Sequence, residues 1–82
     1  MLMDINLVYS KIIEKLEASN NQNVIAELEN SSAGAATGSE ALMSSASYLS
    51  NLQHDNPLVY ELIKELIKDY LKYCKENGLI IK

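Results

Sequence analysis

The 82-residue chain has no arginine, no tryptophan and no phenylalanine, and only one cysteine and one histidine. Without arginine it lacks the planar five-donor side chain that grips phosphates and base edges in pairs, so direct nucleic-acid binding is not expected. A lone thiol, Cys74, can close no internal disulfide and has no second cysteine with which to share a zinc ion. No stretch approaches the roughly 20 consecutive apolar residues needed to cross a bilayer, so no membrane span is expected. The opening MLMDINLVYS has no basic n-region and meets Asp4 at once, unlike a secretory signal. Together with the single thiol, this points to a soluble protein of the cytoplasm.

What is present points to a packed globule. Apolar residues make up 48% of the chain, with twelve leucines and eight isoleucines, a composition far from the disordered class. Eighty-two residues leave room for one domain, spanning 1–82 and held by packing, with a second copy as a further source of stability.

Helical periodicity is the clear pattern. Asp4 is a suitable N-cap, and Ile5, Val8, Tyr9, Ile12, Ile13 and Leu16 then follow alternating steps of three and four residues that form one stripe. The run SNNQN from residue 19 offers side chains that compete with a helix, so the first helix should stop near Ser19. A short second helix is expected over about Val24 to Glu29. Asn56 before Pro57 reads as N-cap then first helical position. From there Val59, Leu62, Ile63, Leu66, Ile67, Tyr70, Tyr73 and Cys74 share an apolar arc, with Cys74 as a small hydrophobe. On the outside, Glu61–Lys64, Glu65–Lys68 and Asp69–Lys72 are spaced for ion pairs. Gly78 fits a left-handed helix stop, with Leu79-Ile80-Ile81 too apolar to hang free.

Between these segments lies SSAGAATGSEALMSSAS, residues 31 to 47, with a single charge. It divides at Thr37, since Thr37-Gly38-Ser39-Glu40 has capping-box spacing: a loop precedes it and a third helix, about Gly38 to Gln53, follows. Ala41, Leu42, Ala46, Leu49 and Leu52 face a core, with Ser45 and Tyr48 in the same arc. Met43, Ser44, Ser47, Ser50 and Asn51 form the opposite, uncharged face. The fold class expected is therefore all-α, a small antiparallel four-helix bundle with long first and last helices and two shorter ones between.

Charge is distributed unevenly. All seven basic residues are lysines, and residues 16 to 63 hold six acids and no base. Such a middle repels phosphate backbones and favours encounter with a basic protein. Interface cores are depleted in charge and methionine adapts to varied shapes, which makes the neutral third-helix face a candidate contact surface. Candidate interface residues are thus Met43, Ser44, Ser47, Ser50 and Asn51 with Glu27, Glu29 and Glu40.

Catalytic signals are poor. His54 beside Asp55 in LQHDNP has the parts of a base oriented by a carboxylate, but no nucleophile is tied to it by a recognised spacing. His54, Asp55 and Asn56 are consecutive, and neighbours in sequence rarely converge on a metal. No catalytic residue, metal or cofactor is assigned. The expected function is a non-enzymatic protein–protein interaction module, either an acidic neutraliser of a basic partner, as small immunity proteins are, or a homodimer. The alternative is a carrier or small-ligand domain. In length, acidity and a mid-chain serine at a helix start, Ser39, the chain resembles acyl carrier proteins, which implies a phosphopantetheine attachment there. Their Asp-Ser-Leu signature is replaced by Gly38-Ser39-Glu40-Ala41-Leu42, and the helix after Ser39 lacks their acidic docking residues.

Overall fold

A computed structural model describes residues 4–79. Of these, 84% are helical, in four elements: α1 (Ile5–Ala18), α2 (Gln22–Ala33), α3 (Gly38–Asp55) and α4 (Pro57–Glu76). The described residues contain no strand. Helix α1 packs on α4 and α2, α2 also on α3, and α3 also on α4. The Cα radius of gyration is 11.9 Å, near the roughly 12 Å of a compact chain of this length.

The helix starts follow local chemistry. Asp4 caps α1, its Oδ1 accepting the N–H groups of Asn6 and Leu7 at 3.0 and 3.3 Å. Asn56 ends α3 and starts α4: its N–H donates to the Leu52 carbonyl at 2.9 Å, and its Oδ1 accepts the Val59 N–H at 3.4 Å. A single residue therefore joins the two longest helices, with Pro57 occupying the position that needs no donor.

Two helix ends are complete Schellman motifs. At the end of α4, Gly78 takes φ +74°, the Leu79 N–H reaches the Cys74 carbonyl at 2.9 Å and the Gly78 N–H reaches Lys75 at 3.2 Å. Leu79 folds back on the core; Ile80 and Ile81, expected to pack with it, lie outside the described residues. Helix α1 stops the same way, with Asn20 at φ +60°, the Asn21 N–H on the Leu16 carbonyl at 2.8 Å and the Asn20 N–H on Glu17 at 3.1 Å. Left-handed backbone disfavours a Cβ, and asparagine tolerates it better than most residues. Asn20→Ala should therefore lower stability by about 1 kcal/mol while Asn20→Gly should not, a contrast that thermal denaturation by circular dichroism measures.

Three details of the middle differ from expectation. Helix α2 continues past Glu29 to Ala33, because the hydroxyls of Ser31 and Ser32 turn back onto the carbonyls of Leu28 and Glu29 at 2.6 and 3.3 Å instead of unwinding the chain. The loop shrinks to residues 34–37. Helix α3 has 18 residues against 14 in α1, so the long helices are the last two, not the first and last. At the α3 start, Thr37 accepts the Glu40 N–H at 3.1 Å as the capping box requires, but Glu40 reaches one residue further, to the Ala36 N–H at 3.0 Å.

The core draws on every helix: Ile12 and Leu16 from α1, Val24 and Leu28 from α2, Ala46 and Leu49 from α3, Ile63, Ile67 and Tyr70 from α4. Cys74 is fully buried among them. On α4 the buried stripe is Val59, Ile63, Ile67, Tyr70 and Cys74. Its two opening steps of four residues drift by roughly 40° each round an ideal helix, and α4 is kinked at Ile63, which has φ −120° and ψ 16°. Leu62, expected in the core arc, is consequently on the rim and 40% exposed. Of the three expected ion pairs on α4, only Glu65–Lys68 is present among the described residues, at 4.0 Å.

Candidate functional site

Two features of the structure bear on function: the exposed acidic residues of α2 and α3, and a cavity to which all four helices contribute.

Glu27, Glu29 and Glu40 are all exposed, as is Asp55 in the last turn of α3. Neither α2 nor α3 contains a lysine or an arginine. The structure brings only some of these acids together. Glu27 Oε1 accepts the Tyr48 hydroxyl at 2.8 Å, a bond between α2 and α3. Burial, this hydrogen bond, and the charges of Glu27 and Asp55 all push the Tyr48 phenol above its ordinary range. Glu27 and Tyr48 are therefore in contact, and the Asp55 charge acts on the same phenol. Glu29 faces a different neighbour, Tyr9 of α1, whose phenol is raised by burial and then by the Glu29 charge. Glu40 lies at the α3 start, occupied with the Ala36 N–H.

The uncharged face of α3 is less open than its composition implied. Met43, Ser44, Ser47 and Ser50 are all half-buried, and only Asn51 is exposed. The physical reason is that α3 is flanked by both α2 and α4, so small side chains beside its core stripe sit in the crevices between helices. Of the five residues of this face only Asn51 is fully open, with the other four partly accessible.

The cavity is a pocket of about 190 Å³ that opens to solvent at its mouth. Ile5, Tyr9, Ala41 and Leu42 form its walls, while Asn6 and Ser32 are the polar residues of its rim. The deepest residues are Ser45 and Tyr70, which are 3% and 2% exposed. Ser45 is the one buried polar residue of the described chain apart from the tyrosine it faces. Burial pushes the Tyr70 phenol up to about 12, opposed in part by the nearby Ser45 hydroxyl and reinforced by Cys74 and Tyr9. Tyr70 is thus a protonated donor throughout the neutral range. Among the described residues no lysine, arginine, aspartate, glutamate or histidine lines the space.

The remaining chemistry-bearing residues are dispersed. His54 and Asp55 are exposed in the final turn of α3. Cys74 is in the core, where burial raises its thiol above the usual value. Ser39 is exposed at the second position of α3. Among the described residues no three His, Cys, Asp or Glu side chains are grouped to hold a metal ion, and no described helix is long and apolar enough to cross a membrane.

Sequence reasoning missed both the Glu27–Tyr48 bond and the cavity. The signal for the cavity was Ser45 within an otherwise apolar arc, since a buried hydroxyl needs a partner. Nothing in the spacing placed Tyr70 beside it. Comparison with protein-family models, with curated proteins and with solved structures finds no match to the chain.

Proposed function

We propose that the protein is a non-enzymatic interaction module of the cytoplasm, whose α2–α3 side docks a basic protein partner. The observation that carries this reading is the charge of two consecutive helices: Glu27, Glu29, Glu40 and Asp55 all exposed, with no cation on either element. A field of one sign accelerates encounter with the opposite sign and repels the wrong partners, while contributing less to final affinity. The partner chemistry is accordingly a lysine- and arginine-rich protein surface, such as that of a toxin-like enzyme held inactive. The four helices are proposed to run alternately up and down. In support, residues from the start of α1 (Ile5), the end of α2 (Ser32), the start of α3 (Leu42) and the second half of α4 (Tyr70) converge on one cavity.

The test uses a basic protein that co-purifies with the chain from its own cells. Changing Glu27, Glu29 and Glu40 together to glutamine preserves the acceptor oxygens of the Tyr48 and Ala36 bonds while removing three charges. The association rate should fall about tenfold at low salt, and the difference should shrink as added salt screens the surface. Equal rates for both forms at low salt would remove the electrostatic reading. If sedimentation instead shows the chain alone to be a dimer, the partner is a second copy.

The carrier reading has one observation in its favour, the exposure of Ser39 at the start of α3. Intact mass after incubation with a phosphopantetheinyl transferase decides it, since an unmodified Ser39 ends that reading.

A further inference from the structure

We infer that the cavity between the four helices is a binding site for a small neutral molecule, one substituted ring in size, carrying a hydroxyl or carbonyl that meets Ser45 and Tyr70. This inference is independent of the acidic docking side.

Size comes first. An enclosed apolar cavity of about 150 Å³ accepts benzene; this pocket, about 190 Å³ and open to solvent at its mouth, has room for a single ring with a small substituent. The walls favour an apolar body, because Ile5, Ala41, Leu42 and the ring of Tyr9 present carbon to the space. Depth supplies orientation, since Ser45 and Tyr70 are nearly inaccessible and bring two hydroxyls into apolar surroundings. Two rotatable hydroxyls in the lining of one pocket can turn toward a guest, each acting as donor or acceptor. A few convergent polar groups in an otherwise apolar concavity are the usual make-up of a small-molecule site.

Charge narrows the class further. Among the described residues no ionisable cation lines the cavity, and the Glu29 charge acts on Tyr9 at its wall. An anionic guest would lose its hydration and gain only repulsion. A neutral phenol-like or cyclic alcohol-like molecule meets neither cost.

Packing adds a separate reason. An 82-residue chain without a disulfide has little stability to spare, and an open apolar pocket leaves its carbon lining against water. A larger side chain in place of Ala41, half-buried at the wall, would fill much of that space. Alanine there keeps it open, and a guest contacting all four helices would tie them together.

Phenol and benzoate, nearly equal in size and different in charge, provide the test on the full chain at neutral pH. Followed by ¹⁵N and methyl NMR, phenol should give saturable shifts centred on Ile5, Ala41, Leu42, Ser45 and Tyr70, with benzoate at the same concentrations giving none. Ala41→Leu, with helical content checked by circular dichroism, should weaken phenol binding about tenfold by occupying the space. Shifts that do not saturate, shifts scattered over the surface, benzoate binding as tight as phenol, or undiminished binding by folded Ala41→Leu would each overturn the inference. If Ala41→Leu does not fold, the phenol–benzoate comparison on the unaltered chain decides alone.

Discussion

Replacing Leu49 with alanine is expected to lower the thermal midpoint by about 10–30 °C, or to leave the chain largely unfolded at room temperature. Leu49 is 0% exposed on α3, the helix that packs on both α2 and α4. Truncating a fully buried leucine costs about 2–5 kcal/mol, combining lost transfer energy with the cavity left behind. In a small domain each kcal/mol is worth roughly 4–8 °C. A core of this size supplies only about 5 kcal/mol in total, so one substitution can consume most of it. Leu58 is the matched control. It is the same residue type and 86% exposed, and its replacement by alanine should change stability by no more than about 0.5 kcal/mol. Circular dichroism melts of the two variants make the comparison; similar losses would mean that the burial pattern described for α3 and α4 is wrong.

Tyr70→Ala should be comparably damaging, at about 3–5 kcal/mol, since it removes the largest fully buried side chain. Tyr70→Phe keeps the ring and removes the ionisation, so it isolates the pH effect. In the folded chain the phenol titrates at about 12, against 10.0 for the free group. A pKa raised on folding means that the folded state holds the proton more tightly. The resulting stabilisation is complete below pH 10 and is lost as pH rises from 10 through about 12. Denaturant midpoints should therefore fall steeply over that interval in the parent chain and less steeply in Tyr70→Phe. Some alkaline slope should remain in the variant, because burial also raises Tyr9 and Tyr48. Identical slopes in parent and variant would show that Tyr70 is not held in a desolvated position.

Both expectations depend on how α3 and α4 meet, and sequence and structure contribute unequally there. Ala46 and Leu49 were legible as core because the apolar spacing of α3 recurs with the helical period. The punctuation was equally legible: Asp4, Asn56-Pro57 and Gly78 act through atoms within a few residues of themselves, and each takes the role its chemistry assigns. Periodicity was less reliable where the helix departs from ideal geometry. Leu62 belonged to the apolar arc on an unbroken helix, and the kink at Ile63 moves it to the rim. Composition misled in residues 31–33, where serine side chains that usually compete with helix instead finish one.

The candidate sites divide along the same line. That α2 and α3 are acidic without compensating cations is a property of composition and needs no coordinates. Which carboxylates stand together does need them, because Glu27 and Tyr48 are 21 residues apart and meet only when α2 lies along α3. The half-burial of Met43, Ser44, Ser47 and Ser50 likewise follows from helices on two sides of α3 and from nothing in that helix itself.

By itself, then, the sequence determined four helical segments, most of their ends, the buried stripe of α1 and the sign of the charge on α2 and α3. These depend on interactions between residues at most four or five positions apart, or on simple counts. Only the tertiary structure decided the meeting of Ser45 and Tyr70 in one pocket, the exposure of Leu62 and the existence of a cavity shared by four helices. Those depend on the separation and rotation of packed helices, which are set by the summed shapes of side chains distant in the chain.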